Sequence, residues 1–206
     1  LITNASGCSA TSGLTTVTTN PSPTATATPG GPTTFCAGGS VLLTAGSGTG
    51  YTYQWELGGT PVSGASLISY TATASGNYAV VVTRSGCSAT SGTIAVTVNP
   101  APPSTVTPSG PTSFCSGGSV TLNASTGAGL SYQWRLGGTP ISGATTSSFT
   151  ASIGGNYTVF VTNSTGCTAT SAITTVSVGT VPTATITPGG PTTFCTGGNV
   201  VLNGST

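Results

Sequence analysis

One eight-residue segment occurs three times in this chain, and its spacing restricts the fold more than any other feature. Pro29-Gly-Gly-Pro-Thr-Thr-Phe-Cys36 returns as Pro108-Ser-Gly-Pro-Thr-Ser-Phe-Cys115 and as Pro188-Gly-Gly-Pro-Thr-Thr-Phe-Cys195, at offsets of 79 (115 − 36) and 80 (195 − 115). A second series, Ser-Gly-Cys8, Ser-Gly-Cys87 and Thr-Gly-Cys167, keeps the same period. A unit of this length that returns with its cysteines in place reads as one small domain, repeated. Two whole repeats are expected at 21–100 and 101–181, joined by Pro-rich connectors such as Asn99-Pro-Ala-Pro-Pro103. Residues 1–20 read as the C-terminal strands of a preceding repeat, and 182–206 as the N-terminal strands of a following one. The chain is therefore expected to be a window on a longer array whose signal peptide and anchor lie outside it.

Within each repeat, short alternating segments are separated by turn signals, which predicts an all-β sandwich. In the first repeat strand A is placed near Thr24–Thr28, B at Ser40–Ala45, C at Tyr51–Leu57, E at Leu67–Ala72, F at Asn77–Thr83 and G at Gly92–Val98. The link Gly58–Gly64 is expected to hold a short C′ or D strand. The period of two points Val41, Leu43 and Ala45 inward on B, Tyr53, Trp55 and Leu57 on C, Tyr78, Val80 and Val82 on F, and Ile94, Val96 and Val98 on G. The second repeat reproduces the pattern with Tyr132, Trp134 and Leu136, then Tyr157, Val159 and Val161.

Charge decides which functions are excluded. The 206 residues include two basic side chains, Arg84 and Arg135, one acidic side chain, Glu56, and no histidine. General acid–base catalysis needs a positioned titratable group, and a nucleophilic triad needs a base beside its nucleophile; no such set exists, so no catalytic residue is assigned. Calcium and magnesium sites draw on several carboxylates. Zinc could be held only by cysteines, no two of which are close in sequence. No metal or cofactor is expected. Two arginines make no basic face for nucleic acid, lysine-dependent isopeptide crosslinks are impossible, and no apolar run approaches the ~20 residues of a membrane span. An uncharged surface favours association, so the expected partners are neighbouring repeats or filament subunits and attached or bound glycans. N-x-[ST] triplets begin at Asn4, Asn123, Asn156, Asn163 and Asn203, although a chain this rich in Ser and Thr generates them by chance, and O-linked sugar on threonine is the stronger expectation.

The order Gly-Ser-Val-x-Leu, Tyr-Gln-Trp and Gly-Asn-Tyr-x-Val-x-Val resembles an immunoglobulin-type domain, with the strand C tryptophan and the strand F corner tyrosine in their places. Phe-Cys-x-Gly-Gly-Ser-Val, and Gly-Asn-Tyr-x-Val-x-Val-Thr followed by Gly-Cys, resemble more narrowly the tandem Ig-like repeats of large secreted proteins and adhesins of the Bacteroidetes type. The resemblance implies immunoglobulin-like sandwiches stacked head to tail, export to the cell surface, and a scaffold or adhesive role. Trp55, Trp134, Tyr78 and Tyr157 could stack on sugar, but each lies on the inward phase of its strand and is assigned to the core.

Six cysteines in an exported chain read as a disulfide framework. In the family pattern the buried disulfide positions fall at Ala45 and Val80, and at Ala124 and Val159, so the cysteines have left the core. Cys36 is placed in the A–B turn, where the chain leaves the sandwich, and Cys87 in the F–G turn at the opposite end. A strand of six or seven residues separates those turns by roughly 20 Å, against the ~7 Å between Cα atoms that a disulfide tolerates. Head-to-tail stacking instead brings Cys36 to Cys167. That inter-domain bridge is preferred; Cys36 with Cys87 and Cys115 with Cys167 remain the alternative. Cys8, Cys87, Cys115 and Cys195 would then find partners outside the window.

Three functions are weighed. The leading one is a structural, non-catalytic segment of an extracellular filament or adhesin stalk, disulfide-stabilised and glycosylated. The second is a carbohydrate-binding or cell-adhesion module, which the near identity of the repeats disfavours. Ice binding by Thr24-Ala-Thr-Ala-Thr28 is the third, weakened by the shortness of that segment. Arg135 takes the place in its repeat that Glu56 takes in the first, both outward-facing, and exposed ion pairs are usually weak.

Overall fold

The computed structural model describes residues 1–205, which form strands and turns without a helix. They fall into two compact units, Leu1–Pro100 and Ala101–Thr206. In the first unit β1 (Ile2–Thr3) and β2 (Ser9–Ala10) make a small exposed hairpin. The sandwich itself comprises β3 (Ala27–Pro29), β4 (Thr34–Cys36), β5 (Val41–Ala45), β6 (Thr52–Leu57), β7 (Thr60–Pro61), β8 (Ser69–Ala72), β9 (Gly76–Arg84), β10 (Cys87–Thr90) and β11 (Ile94–Asn99). One sheet runs β3-β5-β8, and the other runs β4-β11-β9-β6-β7 with β10 folded back on β9.

Alternation drives the assembly. Val41, Leu43 and Ala45 of β5 are buried while Leu42 and Thr44 are exposed, the signature of a strand with one dry face. Facing it, Trp55, Tyr78, Val80, Val82 and Val96 close a single core with Ala72. Aromatic rings cross between the sheets: Tyr70 of β8 lies 6.2 Å from Trp55 and 5.8 Å from Tyr78, both tilted. The Trp55 indole N–H donates to the Leu67 carbonyl at 3.0 Å, so its one polar atom is satisfied inside the apolar layer. The Tyr78 hydroxyl donates to the Ala74 carbonyl at 3.0 Å, closing the corner that leads into β9.

The second unit repeats the design with β12 (Val106–Pro108), β13 (Ser113–Cys115), β14 (Val120–Ala124), β15 (Ser131–Leu136), β16 (Thr139–Pro140), β17 (Ser148–Ala151), β18 (Gly155–Thr162), β19 (Thr168–Thr170) and β20 (Thr174–Gly179). Its sheets run β12-β14-β17 and β13-β20-β18-β15-β16, with β19 on β18. Trp134, Tyr157, Leu122, Val159 and Val161 occupy its core. A last pair, β21 (Ile186–Pro188) with β22 (Leu202–Gly204), is exposed.

Two features depart from the sequence reading. Strand G, expected over Gly92–Val98, corresponds to β11, but a further strand, β10, precedes it on the same edge of β9, with a bulge between the two. Thr90 faces Val81 and Ile94 faces Tyr78, so Ser91, Gly92 and Thr93 oppose only Ala79 and Val80, one residue in excess. The A–B connection, expected as a turn, contains β4, which pairs in parallel with β11: Thr34 with Thr97, Phe35 with Val98 and Cys36 with Asn99. The backbone groups of the leaving strand thereby gain partners that a turn would not have supplied. The C–E link does hold a short strand, β7.

Candidate functional site

The residues that distinguish these repeats from plain sandwiches are their cysteines, and the sheet register places them. In the first unit Cys36 is level with Asn99, the last residue of β11 and the point where the chain leaves. Cys87 is level with Arg84 at the far end of β9. Gly76, at the near end of β9, faces Val96, so eight steps of β9, about 26 Å at ~3.3 Å per residue, separate Val96 from the level of Cys87, and Cys36 lies three residues further out, level with Asn99. No disulfide spans that distance within one unit. The second unit is arranged alike, with Cys115 level with Gly179 and Cys167 immediately before β19 in the hairpin that follows β18.

Cys36 and Cys167 are both disulfide-bonded, whereas Cys8, Cys87, Cys115 and Cys195 are thiols. Cys167 is fully buried, and Cys87, at the matching point of the first unit, is half-buried. The hairpins that carry them are built differently. Arg84-Ser85-Gly86-Cys87 is a two-residue turn with φ of 48° at Ser85 and 79° at Gly86, the positive pair that suits strand twist. In the second unit the loop is longer and Asn163 organises it: its Oδ1 accepts from the amide of Thr165 at 3.1 Å, the hydroxyl of Thr165 at 2.8 Å and the amide of Cys167 at 2.9 Å. Asn4 forms the same kind of turn toward Cys8, accepting from Ser6 and Cys8 amides at 3.1 and 3.0 Å.

Sequence reasoning missed Asn20. Its side-chain amide donates to the Ser85 carbonyl at 3.2 Å, and the Cys87 thiol donates to its carbonyl at 3.5 Å. The Asn20-Pro21 dipeptide recurs as Asn99-Pro100 one repeat later, which is the signal that could have singled it out.

The remaining candidate residues are placed as follows. Trp55, Trp134, Tyr78 and Tyr157 are all buried, as are Ala45, Val80, Ala124 and Val159. Burial raises the phenol pKa values of Tyr78 and Tyr157 above the ordinary value; the Tyr70 phenol adds to the effect on Tyr78, and hydrogen bonds to Ala74 and Ile153 pull in the other direction. Asn4, Asn123, Asn156 and Asn203 are exposed and Asn163 is half-buried. Glu56 and Arg135 are half-buried, and Arg135 lies over the Phe160 ring at 4.7 Å from its centroid. An open groove of about 230 Å³ follows the outer edge of β8, lined by Ser63, Ala65, Leu67, Ser69 and Tyr70 among others.

Residues 23–100 match the family model described as Ig-like domain CHU_C associated. Over those residues the first repeat is similar to an Ig-like domain of Bacteroidetes type. Ig-like families of this kind are typically non-catalytic modules, in keeping with a chain that has no histidine and a single carboxylate side chain. Within residues 23–100 Trp55 and Tyr78 are buried in the core, whereas the disulfide-bonded Cys36 is half-buried at the end of β4. No curated protein matches the chain. Among solved structures, the crystal structure of murine CEACAM1b is similar at 17% identity and a TM-score of 0.35, covering 75% of this chain and 100% of that one. The human OSCAR ligand-binding domain matches at 15% identity and a TM-score of 0.33, covering 75% and 99%. Immunoglobulin domains 1-5 of Sidekick-1 match at 18% identity and a TM-score of 0.32, covering 79% and 40%. No described helix is long and apolar enough to cross a membrane.

Proposed function

We propose that the chain is a structural, non-catalytic segment of an extracellular filament or adhesin stalk. In this reading the Ig-like repeats stack head to tail, and the cysteine of β4 in one repeat bonds to the hairpin cysteine of the next. Cys36 is joined to Cys167. Cys115 and Cys195 reach toward following repeats, Cys87 and Cys8 toward preceding ones.

One observation carries the reading. Asn99 sits level with Cys36, and Asn20, which holds the same position one repeat earlier, touches Cys87 through its carbonyl at 3.5 Å. The residue that accompanies the β4-type cysteine of one repeat thus lies against the hairpin cysteine of the repeat that follows. Transferred forward by one period, the relation brings Cys36 to Cys167, and both are half-cystines. A Pro-rich connector reinforced by a covalent link loses the freedom to bend, which stiffens an array into a rod.

The disulfide and the similarity to an Ig-like domain of Bacteroidetes type support an oxidising, extracellular location at the cell surface. Hydroxyl-rich faces and the exposed asparagines at 4, 123, 156 and 203 offer attachment points for glycan. Non-reducing peptide mapping tests the junction: a Cys36–Cys167 linked peptide is expected, and recovery of Cys36 joined to Cys87 would overturn it.

A further inference from the structure

The only carboxylate side chain of the protein and one of its two arginines stand at equivalent positions on the outer faces of equivalent sheets. Glu56 follows Trp55 in β6, with Trp55 inward and Ala79 directly across on β9. Arg135 follows Trp134 in β15, with Thr158 across on β18. Neither has an ion-pair partner among the described residues. Arg84, the other cation, cannot serve Glu56 within its own unit. It lies five steps along β9 from Ala79, about 16 Å away.

The arginine is prepared for a partner. Its guanidinium carbon lies 4.7 Å from the centroid of the half-buried Phe160 ring, and stacking of that kind fixes the plane of the fork. Its Nε is shielded from solvent without a hydrogen-bond partner. An exposed ion pair is usually weak because two flexible side chains must be immobilised for it; here one is already immobilised. The surrounding surface carries almost no charge to compete or repel, so a carboxylate approaching Arg135 meets an undivided attraction. The carboxylate that the molecule itself supplies at the matching place, beside small apolar neighbours such as Ala79, is Glu56.

We propose that these two sheet faces are the halves of a lateral contact between copies of the chain. The β6–β9 face of the first unit of one copy packs on the β15–β18 face of the second unit of another, pairing Glu56 with Arg135. The occupant is a second copy of this chain, and the contact would bundle the filaments of the preceding section, on which the biological setting rests.

Sedimentation of the full chain over a range of concentrations tests the contact. Self-association that weakens as salt rises is expected, with at least a tenfold loss for Glu56→Arg and for Arg135→Glu alone and no change for Arg84→Gln. An equimolar mixture of Glu56→Arg and Arg135→Glu restores both pairs and should associate like the parent, which separates a lost contact from a damaged fold. A parent that stays monomeric, or a Glu56→Arg chain that associates as well as the parent, overturns the proposal. So does binding of an acidic oligosaccharide that depends on Arg135 in a chain that does not self-associate. Disulfide mapping of the same samples keeps the two readings apart: association without a Cys36–Cys167 link leaves the lateral contact standing and removes the junction.

Discussion

The hydroxyl of Ser91 accepts the amide hydrogen of Val80 at 3.0 Å, while the Ser91 amide donates to the Val80 carbonyl at 2.9 Å. Val80 is fully buried at the level of the bulge, where the ladder would otherwise leave its N–H without a partner. Ser171 and Val159 repeat the arrangement at 3.0 Å for both bonds. Ser91→Ala should therefore destabilise the first unit by about 1–3 kcal/mol, the cost of an orphaned buried donor. Denaturant titration of Ser91→Ala against Ser91→Thr, which keeps the hydroxyl, checks it.

Each unit has one tryptophan, fully buried and hydrogen-bonded through its indole nitrogen at 3.0 Å. Trp55→Ala should cost about 3–5 kcal/mol, a large share of what an eighty-residue sandwich can have. The first unit is expected to melt well before the second. The fluorescence left in that variant comes from Trp134 alone, so its transition should stay where it is in the parent while far-UV circular dichroism shows two steps.

Gly76 opens β9 with φ of 151°, and a Cβ built there would run into the Leu57 side chain. Gly155 has φ of 153° and meets Leu136 in the same way. Gly76→Ala should destabilise by more than the ~1 kcal/mol that an unstrained Gly/Ala exchange is worth. A combined Gly76→Ala, Leu57→Ala chain, in which the clash is gone, isolates the part due to the backbone alone.

The corner tyrosines set an alkaline limit. Burial raises the pKa of Tyr78 and Tyr157 above the ordinary value, so the folded state holds these protons more tightly than the unfolded chain does. Their contribution is complete below the unfolded value near ~10 and is lost as pH rises through the folded ones. Thermal melts from pH 8 to 12 should show falling stability above about pH 10, less steeply in Tyr78→Phe. The same substitution removes the bond to Ala74, for about 1 kcal/mol at neutral pH.

The sandwich was legible wherever a strand had one dry face. Val41-Leu42-Leu43-Thr44-Ala45 and the Tyr-Val-Val series of β9 announce themselves by alternation, and the tryptophans fix which sheet they belong to. The three residues of β4 have no such period, because their partner is a parallel strand sixty-odd positions later and tertiary packing alone pairs them. Ser91 looks like punctuation in sequence, since a serine that replaces a backbone group cannot be told from one in a turn. Arg135 was read as outward, while Phe160 was not singled out. That they touch each other depends on a cross-strand diagonal, which only the register supplies.

The parallel pairing of β4 with β11 bears on how a repeat would resist being pulled. Tension delivered through the two ends of a repeat draws the early strands one way and the last strand the other. Parallel neighbours then slide along each other instead of peeling apart. The bonds between Thr33–Ala37 and Thr97–Asn99 are loaded in shear and must give way together, whereas a hairpin at the same place would open one bond at a time.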